Sequence, residues 1–282
     1  MTTAVVLSGG GSLGAVQVGM LQALTEHGVV ADMLVGTSAG AINAAWLAGS
    51  GMGPDAIGQL REVWLGTRRQ DVFPLRPITG LVGCAGRADH LVVPNGLRSL
   101  LRRNLSIERL EDATVPVTVI ATEVTTGIEV ALSSGDAMDA VTASAAIPGV
   151  FPPVRVGQRV LMDGGVANNT PISHAISLGA DTIWVLPTGY ACDLAKPPRS
   201  ALGMLLQAAT LLMHGRLIID VERYQDHVDL QIIPPLCPLD ISPVDFSRTS
   251  ELVSRGHQAS KEWLASGRSR KGQERFLRLH RH

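Results

Sequence analysis

Three stretches of the 282-residue chain carry residue types that could do chemistry. The first is Gly36-Thr37-Ser38-Ala39-Gly40, a serine set between glycines. It follows the apolar run Met33-Leu34-Val35 and precedes the helix-forming Ala41-Ile42-Asn43-Ala44-Ala45-Trp46-Leu47. At a strand-to-helix turn this pattern is a nucleophile elbow, and Gly36 and Gly40 leave room for other backbone to come close. The second is Gly9-Gly10-Gly11-Ser12-Leu13-Gly14, between another apolar run and a helix. Its N–H groups would point outward at a helix N-terminus, where partial positive charge gathers. The third is Asp163-Gly164-Gly165, after the alternating Arg159-Val160-Leu161. Taken singly, each also fits an ordinary tight turn.

The glycine stretch could hold a nucleotide phosphate or an oxyanion developing on a substrate carbonyl. Gly9-x-Gly11-x-x-Gly14 fits the dinucleotide fingerprint, which also wants an acidic residue at the far end of the second strand. The candidate, Asp32, lies before that strand, at its wrong end. A P-loop fails because no lysine follows the glycines. Acyl transfer through Ser38 needs a nucleophile, a base and donors for the oxyanion. If the first two strands are parallel neighbours, the glycine loop and the serine turn emerge at the same edge of the sheet. The base is open between two readings. A Ser-His-Asp triad would draw on His174, His214, His227 or His257, none in a distinctive loop, and Ser38 comes early for that fold. Asp163, ending a strand before two glycines, is the stronger candidate.

The elements that must position these residues read in order. Ala4–Leu7 is a buried strand, and Leu13, Val16, Met20, Leu21 and Leu24 mark the helix after it, with Gly28 as its cap. With the second strand and the helix after Ser38 this gives β-α-β-α in under fifty residues, the signature of a parallel sheet. A third helix starts at Pro54. Periodicity is lost from Gly66 to Pro94 and resumes as a helix from Asn95 to Asn104. A loop of that length is often a lid or binding loop. Val115–Thr122 and Ile128–Leu132 form a hairpin, Ala137–Ala146 a helix, and Gly157-Gln158 the turn of a second hairpin. Thr170-Pro171 caps and starts the next helix, and Thr182–Leu186 is a buried strand. A long apolar helix over Ser200–Gln225, a strand at Val228–Ile233 and a helix over Glu251–Ala265 complete the chain.

Composition agrees. Hydrophobic residues are 45%, aromatics 4% and charged residues 17%, with a net charge of -1, which suits a close-packed α/β protein and not a nucleic-acid binder. Cys84, Cys192 and Cys237 are odd in number and far apart, with no metal-ligand spacing, so free thiols in a reducing compartment are expected. The uncharged stretch from Met1 to Thr25 lacks the basic start of a signal peptide and is too glycine-rich for a membrane span. Gln207, His214 and Arg216 argue that the long helix covers the sheet and does not cross a bilayer. From Arg268 the tail holds six basic residues and one Glu; solvation is the ordinary fate of such a tail, contact with anionic lipid the other.

Taken together the motifs resemble those of the patatin-like phospholipase family. A fourth joins the three above: Ala143-Ser144-Ala145-Ala146-Ile147-Pro148-Gly149-Val150-Phe151-Pro152 is similar to the family's A-S-x-A-x-P-x-x-F-x-P block, and Asp163-Gly164-Gly165 runs on into Val166-Ala167-Asn168-Asn169-Thr170-Pro171. The resemblance implies a three-layer α/β/α fold with a mainly parallel central sheet, in one domain over 1–282. Residues 66–112 would form a lid or insertion and 188–282 a helical extension. It implies a serine acyl hydrolase acting on lipid esters, cytoplasmic or peripherally bound to membrane, with no cofactor or metal. Ser38 would attack the ester and Asp163 take its proton, while the loop of Gly9, Gly10 and Gly11 holds the oxyanion. Leu13 departs from the family, many of whose members have Arg or Lys there, so a supporting charge is lost. The competing class is a lipid- or protein-binding module that kept the fold without the activity.

Overall fold

The computed structural model describes residues 1–74, 90–189, 197, 199, 201–237, 239 and 241–267. Cys84, Cys192, residues 75–89 of the expected lid and the basic tail from Arg268 lie outside them.

The strands are β1 Thr3–Leu7, β2 Met33–Thr37, β3 Val117–Glu123, β4 Glu129–Leu132, β5 Val154–Val156, β6 Arg159–Asp163, β7 Thr182–Leu186 and β8 Asp229–Ile232. They form one eight-stranded sheet along the path β5-β6-β3-β2-β1-β7-β8, with β4 also on β3. The strands β3, β2, β1, β7 and β8 are mutually parallel, joined by helical crossovers. The strands β4, β5 and β6 pair antiparallel. The helices are α1 Gly14–Glu26, α2 Ala39–Ser50, α3 Pro54–Gly66, α4 Arg69–Val72, α5 Asn95–Asn104, α6 Ala137–Ser144, α7 Ile172–Ser177, α8 Ala201–Tyr224 and α9 Thr249–Ala265.

Strand residues alternate between two cores, as the period of two requires. Val5, Leu7, Leu34, Val117, Val119, Trp184 and Leu186 pack against the side of α1, α2, α3, α5, α6 and α9. Ala4, Val6, Val35, Ile120, Ile183, Val185, Leu230 and Ile232 pack against α7 and α8. The central parallel strands are apolar on both faces because both faces are covered. Helix α9 sits close on α1, where a Cβ on Gly256 would meet the carbonyl of Val16 at 2.7 Å.

One detail of register brings the serine and aspartate motifs together. Val119 and Ile120 pair with both β2 and β4, and Ala121 and Thr122 pair with both β4 and β6. Since a strand has two edges, β2 and β6 share one edge of β3, end to end. Strand β2 runs up to Thr37 opposite Ile120, and β6 runs down to Asp163 opposite Ala121.

Three expectations need correction. Residues 69–72 inside the aperiodic stretch form the short helix α4, below the length at which periodicity is visible. Helix α7 starts at Ile172 with Pro171 as N-cap, and no side chain caps it. Cys237 is disulfide-bonded, so the argument from free thiols to a reducing compartment falls; spacing along the chain says nothing of proximity in the fold. Among the described residues no helix is long and apolar enough to cross a membrane.

Candidate active site

Ser38 sits on the turn from β2 to α2 with φ 54° and ψ -121°, the only residue other than glycine at positive φ among those described. A left-handed backbone at a residue with a Cβ costs energy and persists only where the surroundings fix it. Those surroundings are close-packed. A Cβ on Gly40 would overlap the carbonyl of Leu7 on β1, and one on Gly36 would meet the carbonyl of Gly40. The Ser38 N–H donates to the Ser144 hydroxyl at 2.8 Å, which in turn donates to the Ile120 carbonyl. Thr37, one residue before, donates from its hydroxyl to the Asn168 carbonyl at 3.0 Å.

The Ser38 hydroxyl donates to Asp163 Oδ2 at 2.7 Å. Asp163 Oδ1 accepts from the Gly165 N–H at 2.7 Å, which fixes the carboxylate plane. The backbone of Asp163 is held on both sides: its N–H donates to the Ala146 carbonyl and its carbonyl accepts from the Thr122 hydroxyl. Burial pushes the Asp163 carboxyl up to about 6, against the lowering effect of the Ser38 and Gly165 hydrogen bonds. A carboxylate so placed can take the serine proton near neutral pH. Gly164 must be glycine, because a Cβ there would strike the Ile120 carbonyl.

The glycine loop lies beside this pair. A Cβ on Gly9 would come within 3.0 Å of the Ser38 Cβ. The Gly9 N–H donates to the Asn169 carbonyl at 3.1 Å. Gly9 is therefore a point of close approach whose N–H already has a backbone acceptor, unlike the other two glycines of the expected three. The N–H groups of Gly10 and Gly11 have no acceptor among the described residues. Thr188 fixes the loop by donating to the Gly9 carbonyl at 2.6 Å, and Gly11 has φ 58°, which a side chain would strain. Beneath it Gln17 donates to the carbonyls of Ser8 and Leu186, and Asn43 ties Gln17 to the Trp64 indole. Leu13 is buried in the core.

A segment from the C-terminal region crosses the loop. The Pro243 carbonyl accepts the Ser12 N–H at 2.8 Å and the Ser242 carbonyl accepts the Ser12 hydroxyl at 3.1 Å. Phe246 stacks on Trp64. Sequence reasoning missed Ser144, Thr188 and this segment, whose roles rest on contacts more than a hundred residues away along the chain.

Ser38 and Gly11 open onto a pocket with a nearly all-apolar wall: Ile42 and Trp46 of α2, Leu60 and Trp64 of α3, Leu97, Leu100 and Leu101 of α5, and Phe73, Phe151 and Phe246. The part of residues 66–112 that is described thus contributes wall, through α4 and α5. The histidines go elsewhere. His174 pairs with Glu129 at 2.8 Å and His257 with Glu26 at 2.8 Å, while His214 lies within α8 and His227 just beyond it. Asp32 accepts the Thr3 N–H at the opposite edge of the sheet, so it does not complete a dinucleotide site by the glycine loop. Among the described residues no cluster of His, Cys, Asp and Glu could hold a metal ion.

The family model of patatin-like phospholipases matches residues 5–176. An uncharacterized NTE family protein of Mycobacterium tuberculosis is 40% identical over 167 residues, 59% of this chain and 27% of that protein. The patatin-like phospholipase domain-containing protein 6 of Homo sapiens is 29% identical over 190 residues, 67% of this chain and 13% of that protein. The chain therefore spans about a quarter or less of the length of these relatives. Among solved structures, VipD from Legionella pneumophila superposes with a TM-score of 0.50 at 17% identity, covering 94% of this chain and 67% of that one.

Proposed function

Because the chain belongs to the patatin-like phospholipase family, we propose that it is a serine acyl hydrolase of lipid esters that works through Ser38 and Asp163. The observation that carries this reading is the 2.7 Å hydrogen bond from the Ser38 hydroxyl to Asp163 at the mouth of an apolar pocket. Ser38 Oγ attacks the ester carbonyl as its proton passes to Asp163 Oδ2. Negative charge developing on the carbonyl oxygen is met by the N–H groups of Gly10 and Gly11, in the 3-10 turn that leads into α1. The intermediate collapses, Asp163 returns the proton to the departing alcohol, and the acyl group stays on Ser38. Water then attacks the acyl-enzyme with Asp163 again as base, releasing the fatty acid and restoring the serine.

The pocket wall suits an acyl chain on the carbonyl side, because burying methylenes against Leu, Phe and Trp stabilises binding and no charged residue among those described lines the wall. Peripheral contact with a lipid surface fits the same reading. Leu205, Leu212 and Ile219 recur every seven residues on α8 and are all more than half exposed.

Ser38→Ala and Asp163→Asn should each abolish hydrolysis of a panel of lipid esters while leaving the circular dichroism spectrum unchanged. Near-full activity in Asp163→Asn would remove Asp163 as the base. A fluorophosphonate probe should label the wild type at Ser38. No labelling would mean a lipid-binding module without activity.

A further inference from the structure

The pocket follows one face of α2. Ser38, Ile42 and Trp46 all line it, at i, i+4 and i+8. Eight residues of helix advance about 12 Å. With carbon–carbon bonds of about 1.5 Å in a zigzag, that is the length of roughly ten chain carbons.

Toward the C-terminal end of α2 the wall is continued by the C-terminal end of α5. Asn104 and Leu105 line the pocket, and the chain just beyond them packs on the end of α2. A Cβ on Gly49 would meet Ile107 Cγ2 at 2.9 Å and overlap the Ser106 hydroxyl. Trp46, buried in the core, is the last residue of α2 on the pocket wall. Ile42 stands midway.

We propose that Trp46 is the gauge of this site, limiting the bound acyl chain to medium length, about ten carbons from the carboxyl carbon. The inference rests on the pocket being the acyl site of the hydrolase reading. A chain within the limit buries each added methylene. A longer one must leave its end outside the channel.

The test uses the full chain carrying Ser38→Ala, titrated calorimetrically with saturated fatty acids from hexanoate to palmitate below their micellar concentrations. Affinity should rise about fourfold per carbon, the equivalent of about 0.8 kcal/mol per methylene, and level off near decanoate. Adding Trp46→Ala should move the plateau to longer acids by two or more carbons. Ile42→Trp, which fills the channel halfway, should move it toward hexanoate and keeps the test open if Trp46→Ala does not fold. Affinity climbing steadily to palmitate in the parent, or a plateau unmoved in a folded variant, would overturn the gauge. Ester hydrolysis by wild type is measured in parallel. A plateau without hydrolysis sinks the hydrolase reading and leaves the gauge standing, whereas hydrolysis without a plateau does the reverse.

Discussion

Asp163 carries two consequences of a single cause. Burial raises its carboxyl from 3.8 to about 6, more than the hydrogen bonds from Ser38 and Gly165 lower it. As a base it must be ionised, so kcat/KM should climb with pH through about 6 and then level. A pH–rate profile flat down to pH 4 would contradict that role. The same group loads the fold in the opposite sense. Its contribution to stability is complete below the unfolded value near 4 and is lost as pH rises through 6. The loss is roughly 3 kcal/mol. Urea unfolding at pH 4 and pH 7.5 should show that loss in wild type and not in Asp163→Asn. Ser38, Asp163 and the glycine loop were legible in the sequence because each lies in a short local motif. Ser144 stood inside a legible motif too, but its bond to the Ser38 N–H spans 106 residues and leaves no local sign.

The loop after Asp163 is gripped by elements from elsewhere. Glu129 of β4 accepts from His174 of α7, from Asn168 of the loop and from Arg216 of α8. These partners, His174 foremost, hold its carboxyl down at about 2. Arg216 also bonds the Ala167 carbonyl and Asp220, whose carboxyl is buried. Removing the guanidinium takes the hydrogen-bond partner from the buried Asp220 carboxylate, while Glu129 keeps His174 and Asn168. Arg216→Ala should therefore cost roughly 2–3 kcal/mol in urea unfolding at pH 7, and Arg216→Lys, which keeps the charge but not the fork, should recover part of it. A loss below about 0.5 kcal/mol would show the pairs to be solvated in effect. None of this grouping was legible: Glu129 drew no reading of its own, His174 was weighed only as a base and Arg216 only as a reason to keep α8 out of a bilayer.

At the scale of the molecule the order and kind of the main elements were legible, because buried parallel strands and amphipathic helices write their periods into the sequence. The partners of β3 were not. That β2 and β6 share an edge follows from pairing register, which periodicity does not encode. This arrangement bears on how the site comes into being. Ser38 and Asp163 are 125 residues apart, and each is placed only after its own strand has docked on β3. Chain segments so distant meet late, since closing the loop between them must come before any contact rewards it. When the protein is diluted out of denaturant, the return of ester hydrolysis should trail the return of helical ellipticity, with activity marking the last strand to arrive.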